Sequence, residues 1–184
     1  MKIKFLTVLF ISVFAFIGCD KDEDDSAPEE MKEEITLVTY NDVSFELLEN
    51  EEDNRDLFFS SVNGEVYQRS EITEDILPTI DLVSISNRAF VSFVAANDTY
   101  LNPPFENATD TKIQIETNLS SEDFDNLTVA LLQEITVTHD DSTLQSSTSS
   151  GKVITFENAS GKKGAIRVEA INADRVLVDI KVIK

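Results

Sequence analysis

The chain has one cysteine, one histidine and no tryptophan among its 184 residues. Each shortage removes a class of chemistry. A single thiol can form neither a disulfide within the monomer nor a cysteine-based metal site. A serine triad, a histidine metal centre or histidine acid–base catalysis would each have to pass through His139. Its neighbours Asp140 and Asp141 are adjacent in sequence, which gives no triad geometry, so His139 reads as a polar loop residue. Without tryptophan, stacking against a sugar ring falls to Tyr40, Tyr67 and Tyr100. Basic residues are also scarce: 15 stand against 35 acids, for a net charge of −20. A nucleic-acid binder needs a basic patch, so that partner is excluded, and adsorption to anionic lipid is disfavoured. No nucleophile elbow, phosphate-binding loop or dinucleotide fingerprint is present. Carboxylates occur throughout and single out no glycosidase pair, which requires a separation of roughly 5.5 Å or about 6.5–9.5 Å. Asp20, Asp22 and Asp24 have calcium-loop spacing, but Asp25 and Met31 stand where an EF-hand needs glycine and glutamate. The expectation is a non-enzymatic protein without a cofactor.

What is present begins at the first residue. Lys2 and Lys4 precede an apolar run over residues 5–18, FLTVLFISVFAFIG. A positive n-region before a short h-region is the layout of a secretory signal peptide. A permanent span needs about 20 apolar residues, and this run is shorter and followed at once by acid. Gly18 and then Cys19 at its end resemble a bacterial lipobox of the relaxed kind found in Bacteroidota. That resemblance implies cleavage before Cys19, a signal peptide over 1–18, and a mature N-terminus acylated on sulfur and amine. The partner is then a lipid bilayer. Two or more acyl chains hold stably where one does not, at about 0.8 kcal/mol per buried methylene.

Residues 19–34 follow as an acidic tether. From 20 to 34 there are nine acids and two lysines, a charge of −7. Such a segment cannot bury enough surface to fold, and its fifteen residues span at most roughly 50 Å at about 3.3 Å each. Lys21, Asp22 and Glu23 resemble the Bacteroidota lipoprotein export signal, which implies an outer-membrane protein facing the cell exterior. Asp25-Ser26-Ala27 and Asp141-Ser142-Thr143 resemble the O-glycosylation motif of the same phylum, which implies exposed, modified Ser26 and Ser142. Five Asn-x-Ser/Thr sequons, at Asn97, Asn107, Asn118, Asn126 and Asn158, read as polar loop composition. Loss of Lys2 and Lys4 would leave 13 bases against 35 acids, a net of −22.

Residues 35–184 are the right length for a single domain, β-rich by pattern. Period-two alternation marks strands at 152–157, 164–171 and 175–183, separated by turns, as an antiparallel meander. Strands are also expected at 35–40, 43–48, 57–62, 80–85 and 89–95, the last apolar on both faces and so central, with another around Ile113 and Ile115. Asn63-Gly64 suits the centre of a tight hairpin turn, and the acid-rich residues 49–56 read as a solvated turn, with calcium held through their carboxylate oxygens as the alternative. Ser70 would cap a helix over 71–77 that Pro78 stops. Ser120 would open a longer one in which Phe124, Leu127, Leu131, Leu132 and Ile135 share a face. Residues 141–150 read as a Ser/Thr-rich loop. The fold class is mostly β to α+β: antiparallel sheet, sandwich-like or layered, with one or two helices. The phrases Gly151–Phe156, Gly161–Val168 and Asp179–Val182, with Phe58-Phe59-Ser60, Asn63-Gly64 and Thr79–Leu82, are similar to those of uncharacterised Bacteroidota surface lipoproteins. That resemblance implies no activity. The functional expectation is a binding or structural envelope lipoprotein with a protein or glycan ligand; the alternatives are a periplasm-facing accessory lipoprotein and a carboxylate-dependent hydrolase.

Overall fold

The computed structural model describes residues 35–48, 55–101, 103–105, 107–138 and 142–184, which belong to the compact unit Glu34–Lys184. In chain order the elements are β1 (Leu37–Glu46), β2 (Asp56–Ser60), β3 (Glu65–Gln68), β4 (Ile80–Ser84), β5 (Phe90–Val91), β6 (Phe93–Val94), β7 (Thr111–Glu116), α1 (Ser121–Asp125), α2 (Val129–Glu134), β8 (Leu144–Gln145), α3 (Ser146–Ser149), β9 (Val153–Asn158), β10 (Lys163–Ile171) and β11 (Arg175–Ile183). The class is mostly β, as the alternation requires. The larger sheet has the order β1-β11-β10-β9-β7, the smaller β3-β2-β4-β6, and β5 pairs with β8 in a separate ribbon. All pairings are antiparallel. The expected meander is β9-β10-β11.

The two sheets face each other across one core. Phe45, Ile154, Phe156, Ile166, Val178 and Ile180 of the large sheet meet Phe59, Leu82 and Phe93 of the small one. Phe45 packs edge-on to both Phe59 and Phe93, with ring centroids 6.4 and 5.4 Å apart. Six phenylalanines (45, 58, 59, 93, 124 and 156) are fully buried, each contributing about 1.5–3 kcal/mol relative to exposure. The outer faces are covered too. Ile80, Val83 and Phe58 lie under Leu101 and Phe105. Val153, Ala165 and Ile183 lie under Phe124, Leu127 and Leu132 of the α1–α2 region. Sandwich and helical layer therefore coexist, which settles the choice the sequence left open.

Several expected elements differ. The two N-terminal strands are one, β1, with a bulge between Tyr40 and Val43; Asp42 takes φ of 55° there, a region aspartate tolerates better than most residues. Residues 89–95 form two short strands in different sheets, and β6 is an edge rather than central. The hairpin after β2 closes with four residues, and Gly64 sits last, at φ 74°. Residues 71–77 are not a helix. Two single 3₁₀ turns, Arg69–Glu71 and Leu77–Thr79, flank them, because Pro78 can only open the second. The long helix is two, broken at Asn126-Leu127-Thr128, since Thr128 caps α2 by accepting from Leu131 N–H at 3.3 Å. Ser120 does cap α1: its Oγ accepts from Asp123 N–H at 3.2 Å, while Asp123 accepts from Ser120 N–H at 2.8 Å. Hydrogen bonds from the Ser120 hydroxyl and backbone hold the Asp123 carboxyl below its ordinary 3.8.

Two measurements follow. The Asp123 contribution is fully present above its unfolded value and is lost as pH falls through the lowered folded value, so acidification below 3.8 is expected to fray α1, read from the Asp123 amide resonance. Gly164 faces the Phe156 ring, and a Cβ there would lie 2.1 Å from that ring and 2.9 Å from the Lys181 carbonyl oxygen. Gly164→Ala is expected to destabilise by about 1–3 kcal/mol, read from the urea midpoint. An unchanged midpoint would mean the ring yields freely.

Candidate functional site

Among the described residues, two of the places that concentrate polar groups differ in what those groups bind. The first lies on the outer face of the large sheet. Arg167 on β10 stands opposite Asp179 on β11, and its guanidinium donates to Asp179 at 2.8 Å, to Asp125 of α1, and pairs with Glu169. Asp179 also accepts from Asp42 N–H at 2.9 Å, at the β1 bulge. Lys181 is buried and donates to the carbonyls of Phe124 and Asp125 at 2.8 and 2.9 Å, the end of α1. Both cations lie over the Phe124 ring, at 4.7 and 5.1 Å. Burial lowers the Lys181 ammonium pKa. Burial also lowers that of Arg167, but the hydrogen bonds it donates to Asp179 and Asp125 outweigh it, so the net shift is upward. These partners clip α1 to the sheet, so the cluster is a fastening.

The second place is a cleft of about 580 Å³, within the ~300–1,000 Å³ of small-molecule sites. It opens between the edge strands β6 and β7. Its walls are apolar: Leu48, Ile85, Phe90, Phe93, Val94 and Ile113. Ser92, where the chain passes from β5 to β6, lines it with Ser142 and Thr143, and Asp98 and Tyr100 stand at its rim. The hydroxyls are organised. Ser142 Oγ donates to the Phe93 carbonyl at 2.6 Å and accepts from Phe93 N–H at 3.2 Å, and Ser92 and Thr143 share a hydrogen bond of 3.1 Å. One is different. Thr111, on β7, is 1% exposed and its Oγ1 has no hydrogen-bond partner. A buried polar atom left unmade costs about 1–3 kcal/mol. The Asp98 carboxylate accepts from Tyr100 N–H at 2.8 Å, and Tyr100 is 79% exposed.

The sequence-derived site residues fall elsewhere. Cys19, Lys21, Asp22, Glu23, Ser26 and His139 lie outside the described residues, as does most of the acidic 49–56 stretch. Ser142 does not lie in an exposed segment. It is buried, and its hydroxyl supplies β6 with the donor and acceptor a neighbouring strand would give. Residues 142–150 hold β8 and α3 instead of a plain loop. Asn158 is likewise committed, its amide donating to buried Asp81 at 3.0 Å. Nothing in the sequence singles out Thr111 or Asp98 as ligand-binding residues, and Tyr100 stands out there only as one of three tyrosines left to stack on a sugar; a period-two strand and a polar turn give no hint that the three line one cleft. Among the described residues, no group of three or more histidine, cysteine or acidic residues is placed to hold a metal, and no helix is long and apolar enough to cross a membrane.

No family model matches the chain, and no curated protein matches it. Among solved structures it is similar to a DUF4466 family protein from Parabacteroides merdae, with 14% sequence identity, a TM-score of 0.43, and coverage of 80% of this chain and 53% of that one. The chain spans about half the length of that protein.

Removing Arg167 would leave Asp179, itself buried, without its main counter-charge. Arg167→Met is expected to destabilise by about 3 kcal/mol, with Arg167→Lys between it and the native chain because lysine keeps the charge and loses the fork. Chemical denaturation checks the order, and an Arg167→Met midpoint equal to the native one would contradict the fastening.

Proposed function

We propose that this chain is a lipid-anchored envelope protein, held through Cys19, displayed on the outer face of the outer membrane, whose β-domain acts as a non-enzymatic binding module. The observation that carries the binding part is the unpartnered, buried hydroxyl of Thr111 in an otherwise apolar cleft. A protein interior leaves such a group unmade at a cost, and a ligand atom that reaches it removes that cost. Among the described residues lining the cleft there is one carboxylate, Asp98, where glycoside hydrolysis uses two, which favours binding over carboxylate-dependent hydrolysis. The ligand, or its inserted group, is one that enters about 580 Å³.

The anchoring part is supported by the order of signals at residues 1–34: positive n-region, apolar run, Cys19, then Lys21-Asp22-Glu23 in an acidic tether. It is tested by protease shaving of intact cells carrying the native chain, Cys19→Ser, or the triple variant Lys21→Ala, Asp22→Ala and Glu23→Ala. The native domain is expected to be cleaved from whole cells, the triple variant to be protected until the outer membrane is broken, and Cys19→Ser to be recovered without membrane. Protection of the native domain in intact cells would overturn surface display and move its partners to the periplasm.

A further inference from the structure

The cleft's chemistry narrows what it binds. Among the described residues lining it there is no lysine, arginine or histidine, while Asp98 stands at the rim. An anionic ligand would find no counter-charge among those residues and would enter a protein of net charge −20. The rim presents two features suited to a cation: a carboxylate, and beside it the exposed Tyr100 ring, whose face attracts ammonium groups. The walls set by Phe90, Phe93 and Ile113 suit an apolar body. Thr111 Oγ1, unpartnered in the wall, asks for one hydrogen-bonding group more.

We infer that the cleft binds a small organic amine: apolar body against Phe90, Phe93 and Ile113, ammonium at Asp98 and Tyr100, and a second polar group hydrogen-bonded to Thr111 Oγ1. This rests on the reading of the cleft as a binding site and adds the ligand class. No covalent step is involved.

The absence of tryptophan provides the assay. Tyr100→Trp places one fluorophore at the rim and keeps an aromatic face for the cation. The full chain with this substitution, in phosphatidylcholine nanodiscs with empty nanodiscs as control, is titrated with four matched probes. These are tyramine, phenethylamine without the phenol, tyrosol with a neutral hydroxyl for the ammonium, and 4-hydroxyphenylacetate with a carboxylate. Tyramine is expected to bind tightest, about fivefold more tightly than tyrosol, the scale of a partly exposed ion pair, with the carboxylate weakest. Asp98→Asn should erase the preference for tyramine over tyrosol. Thr111→Val keeps the shape, and since the native hydroxyl is unpartnered the fold should be no less stable. It should weaken tyramine about fivefold, the worth of one hydrogen bond, and leave phenethylamine unchanged. Binding of the carboxylate as tight as tyramine, or a preference that survives Asp98→Asn, overturns the amine assignment while leaving the cleft a binding site. Binding of none of the four probes overturns both.

Discussion

The five-stranded sheet is buried on both faces, and most of the architecture answers to that constraint. One face of β9, β10 and β11 is uniformly apolar and closes the sandwich core. The other alternates Val153, Ala165 and Ile183 with Thr155, Arg167, Asp179 and Lys181. Burying charge is costly unless it is paired and hydrogen-bonded. The covering layer is therefore built to pair it: Asp125 and the last carbonyls of α1 take Arg167 and Lys181, and Asp179 spans from Arg167 to the bulged backbone of β1. A helix of five residues has little stability of its own. Phe124 under two cations and the Ser120–Asp123 cap hold α1 in place.

The cleft follows from unequal sheets. β7 on the large sheet runs six residues, while β6, the facing edge of the small one, runs two. Past Val94 the small sheet has no strand to set against β7. The backbone at this edge is satisfied by hydroxyls instead of by a ladder: Ser86 binds the Ser92 backbone and Ser142 binds that of Phe93. Such substitutes terminate a sheet without extending it, so the gap stays open. Ser142, one of the side chains that cap the edge, is thus also part of the cleft's polar end.

Period-two alternation made β7, β9, β10 and β11 legible, since each has at least one face committed to a core and a one-residue slip would expose it. The Ser120 cap was legible because its side-chain bonds are local. The errors came where a long-range bond overrode a local preference. β1 is continuous because Asp179 holds the Asp42 bulge, 137 residues away. The α1–α2 break depends on Thr128 choosing a cap over helix interior. Ser142 looks like a loop serine until β6 is found to need a partner. Thr111 shows the same limit from the other side: its neighbours identify the strand, but only the meeting of four separate segments reveals that its hydroxyl has nothing to bond.

The charge of the chain bears on the cleft in two different ways. Summed over the molecule, the excess of acids raises the local concentration of cations and speeds their encounter. That field is screened beyond roughly 8 Å at physiological ionic strength and acts on every small cation alike. It supplies arrival, not choice. Choice has to come from groups in contact with the ligand, where apolar walls lower the effective dielectric and strengthen each interaction. Asp98, Tyr100 and Thr111 are such groups, and only Thr111 lies deep enough to be blind to bulk salt. An inorganic cation feels the first effect and gains nothing from the walls. An organic amine feels both. The discrimination therefore depends on pairing a weak rim charge with a buried hydroxyl, across a surface that excludes water between them.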